Sequence, residues 1–245
     1  MHNIYFRVKE TKNISAKKHS LNKQYNEWRK IAWEAKEYKL KILNKIDEIL
    51  ASIEKIDTAF VAQLHVRIAY SVPNKEFKIA EKYFLKVVEN EKLLTNQEDI
   101  LETTYQGLGD LYFNTKQYDK ASKIYIKLFD FKEIEDLIEE DILQMGIAMA
   151  NLDKAKYLLK AEELLSFLYH LDVCDAEMDH LMATKTNYNL GLVKFKLKKN
   201  TEAKVYLKKA LVLYKQRKWD SKSIYQLLNS IGDTVDSEPT SAHNP

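Results

Sequence analysis

Residues Glu102–Lys127 read ETTYQGLGDLYFNTKQYDKASKIYIK, and the fold is decided in this stretch. Tyr105, Leu108 and Tyr112 recur at helical spacing, which lays an apolar stripe along one side of a helix. Gly109 stands on that stripe. A glycine inside a helix costs about 1 kcal/mol relative to alanine, so its position marks a place where a second helix comes close. Asn114–Gln117 breaks the periodicity, and Tyr118, Ala121, Tyr125 and Leu128 then form a second stripe, with the small Ala121 expected opposite Gly109. The pattern predicts a helical hairpin with a short polar turn.

The same design recurs on both sides. Phe60, Val61, Leu64 and Ile68 lead to a turn at Ser71-Val72-Pro73-Asn74, where proline stops the helix, and Ala80, Phe84 and Val87 follow. Ile68 occupies the glycine position of this first unit. Farther on, Gly146 lies within DILQMGIAMANLDK, and a helix from about Lys154 runs through Ala161, Leu165 and Leu168, its alanine later than in the opening stretch. Leu190-Gly191 is followed by Ala203, Leu207 and Ala210 at the spacing that separates Gly109 from Ala121. Ile231-Gly232-Asp233 echoes Leu108-Gly109-Asp110, so four of the five glycines are expected at one repeat position.

Written as positions of a unit of about 34 residues, Tyr105, Leu108-Gly109, Tyr112, Tyr118, Ala121 and Tyr125 resemble the tetratricopeptide (TPR) pattern. Leu128 stands where that pattern usually has alanine, and no proline closes the unit. The resemblance covers about residues 58–236. It implies an all-α fold, a TPR-like right-handed α-solenoid of helical hairpins preceded by an N-terminal helical section. The expected organisation is a basic arm and helical section over 1–57, about five units over 58–236 with the last incomplete, and a disordered tail over 237–245. In the first section an apolar helical pattern runs from Leu21 to about Lys55 through Trp28, Ile31, Leu43, Ile46, Ile49, Leu50 and Ile53, as one helix or as two separated near Tyr38. The last unit has a first helix and no second, so that helix is either a cap or a surface for a second copy, a homodimer through the C-terminal helix.

Composition agrees with this fold. Apolar residues make up 45% and charged residues 31%, with 5 Gly and 3 Pro, too few breakers for a strand-rich chain. The single cysteine, Cys174, excludes an internal disulfide framework and fits a reducing compartment. The start, MHNIYFRVKETK, has no apolar core of signal-peptide length, and no window reaches about 18 apolar residues. A cytoplasmic protein with no membrane partner is expected. The net charge of +3 conceals an uneven distribution. Asp130, Glu133, Glu135, Asp136, Glu139, Glu140 and Asp141 face Lys132 alone, whereas Lys185–Lys222 holds twelve Lys or Arg against Glu202 and Asp220.

Signals for chemistry are sparse. His170, Asp172, Cys174, Asp175, Glu177, Asp179 and His180 include metal-ligand types, but without a standard metal spacing the stretch reads as a polar turn. There is no phosphate-binding glycine loop, no nucleophile elbow and no HExxH, so neither an enzyme nor a cofactor is expected. The basic section reads first as the solvated faces of two amphipathic helices and second as a phosphate contact, so nucleic acid is not expected as a partner by itself.

By resemblance to TPR arrays, the concave side is lined by Gln106, Asp110, Phe113 and Asn114 from one unit, Leu143, Ile147, Ala150 and Asn151 from the next, and Tyr188, Leu192, Phe195 and Lys196 from the one after. His65, Ala69, Val72 and Pro73 hold the same positions in the first unit. Amides at Gln106, Asn114 and Asn151 can pair with both N–H and C=O of an extended backbone, and Phe113, Ile147, Leu192 and Phe195 offer apolar pockets. The expected ligand is a short, mostly apolar peptide or a partner's segment. The competing reading makes these aromatics ordinary inter-repeat core. A carboxylate clamp would need Lys and Asn where this chain has Gln106 and Asp110.

The long helical start, the divergent units and the amide-dotted inner helices look like the peptide-sensing TPR regulators of Gram-positive bacteria, the Rap, NprR, PlcR and Rgg types. NKQYNEWRKI, Asn22–Ile31, is similar to the start of the Rap bundle. The likeness implies quorum-sensing regulation of a protein target by a peptide in the groove. Residues 1–57 lack the small-residue turn of a helix-turn-helix domain. Other readings are a structural adaptor with no small ligand, or a nucleic-acid-associated protein using residues 185–222.

Overall fold

The computed structural model describes residues 16–26, 36–54, 57–72, 76–174 and 180–233. Residues 1–15, Trp28, Ile31, Pro73-Asn74, Asp175, Glu177, Asp179 and the 237–245 tail lie outside the described residues, as do the side chains of Asp172, Cys174 and His180. Among the described residues all regular structure is helical. The α-helices are α1 (residues 16–26), α2 (Lys36–Ile53), α3 (Thr58–Ser71), α4 (Phe77–Glu89), α5 (Glu98–Asn114), α6 (Tyr118–Leu128), α7 (Glu139–Ala150), α8 (Ala155–Cys174), α9 (His180–Lys196), α10 (Asn200–Arg217) and α11 (Lys222–Ser230). Short 3-10 turns at Glu91–Leu93 and Ile134–Asp136 join hairpins. Two compact units divide inside α5, Met1–Leu111 and Tyr112–Pro245.

In the first unit, α1 and α2 pack on the α3/α4 hairpin. Tyr25 on α1 shares a hydrogen bond with Ser71 Oγ at 3.0 Å, and Leu21, Ile46, Leu50 and Ile53 are buried. Lys18 pairs with Asp57, whose carboxylate also accepts the Phe60 N–H at 3.1 Å and so caps α3. Tyr38 lies within α2. Asp47 on α2 accepts from Lys82 at 2.5 Å and Lys86 at 3.1 Å on α4. Beside them His65 is buried against the Tyr83 ring, centroids 5.6 Å apart. Gly107, the fifth glycine, lets α5 approach this hairpin: a Cβ there would stand 2.6 Å from Phe84 Cζ and 2.6 Å from the Tyr70 hydroxyl.

In the second unit, α7/α8 and α9/α10 are successive hairpins. Their glycines admit a leucine. A Cβ on Gly146 would lie 2.7 Å from Leu165 Cδ2, and one on Gly191 would lie 2.8 Å from Leu207 Cγ. Each leucine is one helical turn beyond the patterned alanine, Ala161 or Ala203. Side chains in a helix tilt toward its N-terminus, which carries the leucine back over the glycine.

Gly232 corrects the sequence reading. It follows the end of α11 in a left-handed conformation, φ +76, with open space around the missing Cβ. Its N–H donates to Asn229 O at 3.1 Å and the Asp233 N–H to Leu228 O at 3.1 Å, the two bonds of a Schellman terminus. Gly232 therefore terminates a helix, and the echo of Leu108-Gly109-Asp110 has no packing equivalent there. Helix α11 buries Ile224, Tyr225 and Leu228 with Ala203, Leu207 and Ala210 of α10, and exposes Lys222, Gln226 and Asn229. The outer face of α11 is polar.

Candidate functional site

The residues expected to line a groove fall into three settings. Gln106 and Asp110 are half-buried on the part of α5 that belongs to the first unit. Phe113 and Asn114 end α5 in the second unit: Phe113 lies 5.8 Å from the Tyr118 ring, and Asn114 is exposed. Ile147, Asn151, Leu192 and Lys196 come from α7 and α9, which touch each other.

Lys196 joins those two helices. Its Nζ donates to Ala150 O at 2.7 Å and lies 3.0 Å from Asp153. The last carbonyls of a helix carry partial negative charge, so this cation stabilises the end of α7. At the C-cap of α7, Asn151 is exposed and its Nδ2 donates to Ile147 O at 2.8 Å. Ile147 and Leu192 remain half-exposed. Together these four side chains make a ledge of two apolar groups, one amide and one cation already in use.

Tyr188 and Phe195, on the same side of α9, are taken up in packing instead. Both pack on the α10/α11 core, with Tyr188 5.8 Å from the Tyr214 ring. Of the first unit's equivalents, His65, Ala69 and Val72 are buried, so an inner-face pattern there is built into packing.

Charge is also largely accounted for within the chain. Lys194, 8% exposed, reaches Glu162 of α8 at 2.6 Å and Glu202 of α10, and Lys199 reaches Glu162 at 2.6 Å. Burial alone would raise the Glu162 carboxyl, but the hydrogen bonds from Lys194 and Lys199 outweigh it and hold it below the usual range. Lys204 and Lys208 bind Asp233 at 2.8 and 2.9 Å and hold its carboxyl low. Lys209 meets the Tyr169 hydroxyl, and Arg217 donates to Thr184 Oγ1 at 3.2 Å. The basic section is therefore bound up with acids and aromatics of its own unit, connections that only long-range folding reveals.

Among the described residues no group of three or more His, Cys, Asp or Glu is placed to hold a metal ion, and no helix is long and apolar enough to cross a membrane. No curated protein and no solved structure gives a significant match. The tetratricopeptide repeat family model matches residues 102–133 and 184–216, the second of which spans most of α9 and nearly all of α10. Those two stretches are similar to tetratricopeptide repeats, a family of protein–protein interaction modules, and the chain carries an all-α fold of the TPR-like α-solenoid type.

Proposed function

We propose that this chain is a non-enzymatic regulatory module whose inner helix faces bind a short peptide or a partner's segment and thereby modulate a protein target. The observation that supports it is the α7/α9 ledge: Ile147 and Leu192 stay half-exposed beside the exposed Asn151, although their neighbours Ala150 and Val193 are fully buried. An extended peptide there would set apolar side chains on Ile147 and Leu192 and pair its backbone with Asn151. Asn114 and Phe113 are the corresponding groups at the end of α5. A peptide that prefers one arrangement of the hairpins would shift which outer surfaces the target meets.

Calorimetry of the full chain against short apolar peptides tests this. Binding should weaken about five- to tenfold for Asn151→Ala, the loss of one hydrogen bond's worth of affinity. Binding no tighter than about millimolar, or indifference to both Asn151→Ala and Asn114→Ala, would sink it. A structural adaptor is the second reading, favoured by exposed Leu159 on α8 and Val205 and Val212 on α10. It predicts a stable partner whose binding survives substitutions on the ledge.

A further inference from the structure

At the far end of α7 the chain carries a feature that the ledge does not use. Leu137, Ile138, Phe167, Leu171 and Met182 line an open cleft of about 780 Å³ where the start of α7, the second half of α8 and the start of α9 meet. Glu135, Glu139 and Glu140 form its edge. Helix α7 has 12 residues, so this cleft and Asn151 are about 18 Å apart along the axis.

Two features of the cleft set it apart from the rest of the unit. Ile138 is 63% exposed and occupies the N-cap of α7, where no side chain accepts a hydrogen bond from the first turn. Serine, threonine, aspartate or asparagine would stabilise the helix at that position and isoleucine does not, so this residue works against solubility and against capping at once. The second feature is charge. Elsewhere in this unit three acids each take two lysines, Asp119 with Lys123 and Lys154, Glu162 with Lys194 and Lys199, Asp233 with Lys204 and Lys208, and Asp153, Glu163 and Glu202 each take one. Glu135, Glu139 and Glu140 are exposed and pair with no cation among the described residues. The N-terminal dipole of α7 accounts for acids in its first turn, Glu139 and Glu140, but not for Glu135.

We infer that this acidic-edged apolar cleft docks a segment of a partner protein in which bulky apolar residues are flanked by lysine or arginine. Apolar side chains of the segment enter over Phe167, Leu171 and Met182 and cover Ile138, while its cations supply the counter-charges that Glu135, Glu139 and Glu140 lack. Because the cleft is open at Ile138, it accepts side chains projecting from a surface better than it would enclose a small molecule.

The test is a random-peptide library displayed on phage and selected on the full chain, followed by fluorescence anisotropy with a labelled synthetic copy of the most enriched sequence. Enrichment of Lys or Arg next to Leu, Ile or Phe is expected. Ile138→Ser should weaken the peptide at least tenfold while leaving the melting temperature unchanged or higher, because serine caps α7. Glu139→Lys with Glu140→Lys should weaken it comparably, and a peptide with its cations changed to glutamate should recover binding to that variant. No enrichment, enriched sequences without basic residues, or binding that survives both sets of substitutions would overturn the inference. It would equally fail if Ile138→Ser acted by dissolving a dimer of the wild-type chain in sedimentation, since the occupant would then be a second copy. Asn151→Ala should leave this peptide unaffected; if it abolishes binding, the peptide sits on the ledge, and the cleft is refuted while the proposed function stands.

Discussion

The hairpins α3/α4 and α9/α10 each bury an ionisable side chain in their first helix, and they treat it in opposite ways. His65 is 3% exposed and Lys194 8% exposed, so burial alone does not separate them. Burial pushes the His65 imidazole down to about 4, Lys86 and Lys82 push the same way, and Asp47 opposes them only in part. Its Nε2 finds no hydrogen-bond partner. Burial pushes Lys194 down as well, but hydrogen bonds and charge from Glu162 and Glu202 overcome it and raise the ammonium above its ordinary range. One group is buried neutral and the other buried charged. What decides is whether carboxylates reach it, and those arrive from other helices.

The two hairpins also fill the same repeat position with opposite volumes. Ile68 is fully buried where α9 has Gly191, whose missing Cβ leaves room for Leu207. Alanine therefore removes volume at one position and adds it at the other, and should destabilise at both for opposite reasons. Ile68→Ala deletes buried atoms and is expected to cost about 3 to 4 kcal/mol. Gly191→Ala adds a methyl against Leu207 Cγ and its backbone N, 2.8 and 3.2 Å away, and should cost about 1 to 2 kcal/mol after the gain in helix propensity. Urea midpoints of the two variants check this, and a Gly191→Ala chain more stable than wild type would refute the close approach.

The ionisable pair predicts a split pH response. A histidine whose folded pKa lies below its unfolded value contributes stability that is complete above about 6.5 and is lost as pH falls toward 4. That loss amounts to roughly 3 kcal/mol, and His65→Phe should flatten it. Lys194 has the reverse sign: its contribution is complete below its ordinary value of 10.5 and disappears as pH rises through the raised one. Lys194→Met should remove that alkaline contribution and, because Lys194 also holds the Glu162 carboxyl low, weaken Glu162's share of the acid limb while leaving the His65 share intact. Urea titrations at several pH values give both slopes, and a wild-type acid limb unaltered by His65→Phe would show that other groups carry it.

Sequence periodicity made the hairpins legible because a stripe at helical spacing reports which side of a helix is apolar. It identified the α9/α10 hairpin through Leu190-Gly191, Ala203 and Leu207, and it identified Gly146 as a close approach. It does not report which neighbour covers the stripe. That is why the spacing from Gly191 to Ala203 does not reveal that Leu207, one turn farther on, is what fills the space at the glycine. It is also why Leu192 and Phe195, alike in sequence as groove residues, part company: Phe195 packs on the α10/α11 core and Leu192 does not. Gly232 misled for a related reason, since a three-residue echo carries no information about backbone φ. The roles of Lys196 and Lys194 depend on Ala150 and Glu162, which only the tertiary fold brings within reach. The exposed Ile138 had a local signal, an isoleucine just ahead of the acidic first turn of α7, but no periodicity to set it apart.

The smallest expected effect lies in how the two first helices end. Helix α3 ends in an extended residue, Val72, with φ −81 and ψ 131. Helix α9 ends instead in a left-handed lysine, Lys198, with φ 62, whose N–H donates to Phe195 O at 2.9 Å while Lys199 N–H donates to Lys194 O at 2.9 Å. These are the same two bonds that close α11 at Gly232, and α5 and α10 end likewise at Lys116 and Lys218, φ 58 and 57. A lysine Cβ is crowded in that conformation and a glycine is not, which costs about 1 to 3 kcal/mol per site, partly offset by the greater chain entropy glycine adds to the unfolded state. Lys198→Gly should accordingly stabilise by about 1 kcal/mol, whereas Val72→Gly, at an extended and buried position, should destabilise. Thermal melts of the two variants decide it. A Lys198→Gly chain that melts below wild type would mean that the lysine side chain contributes more at this turn than its backbone conformation costs.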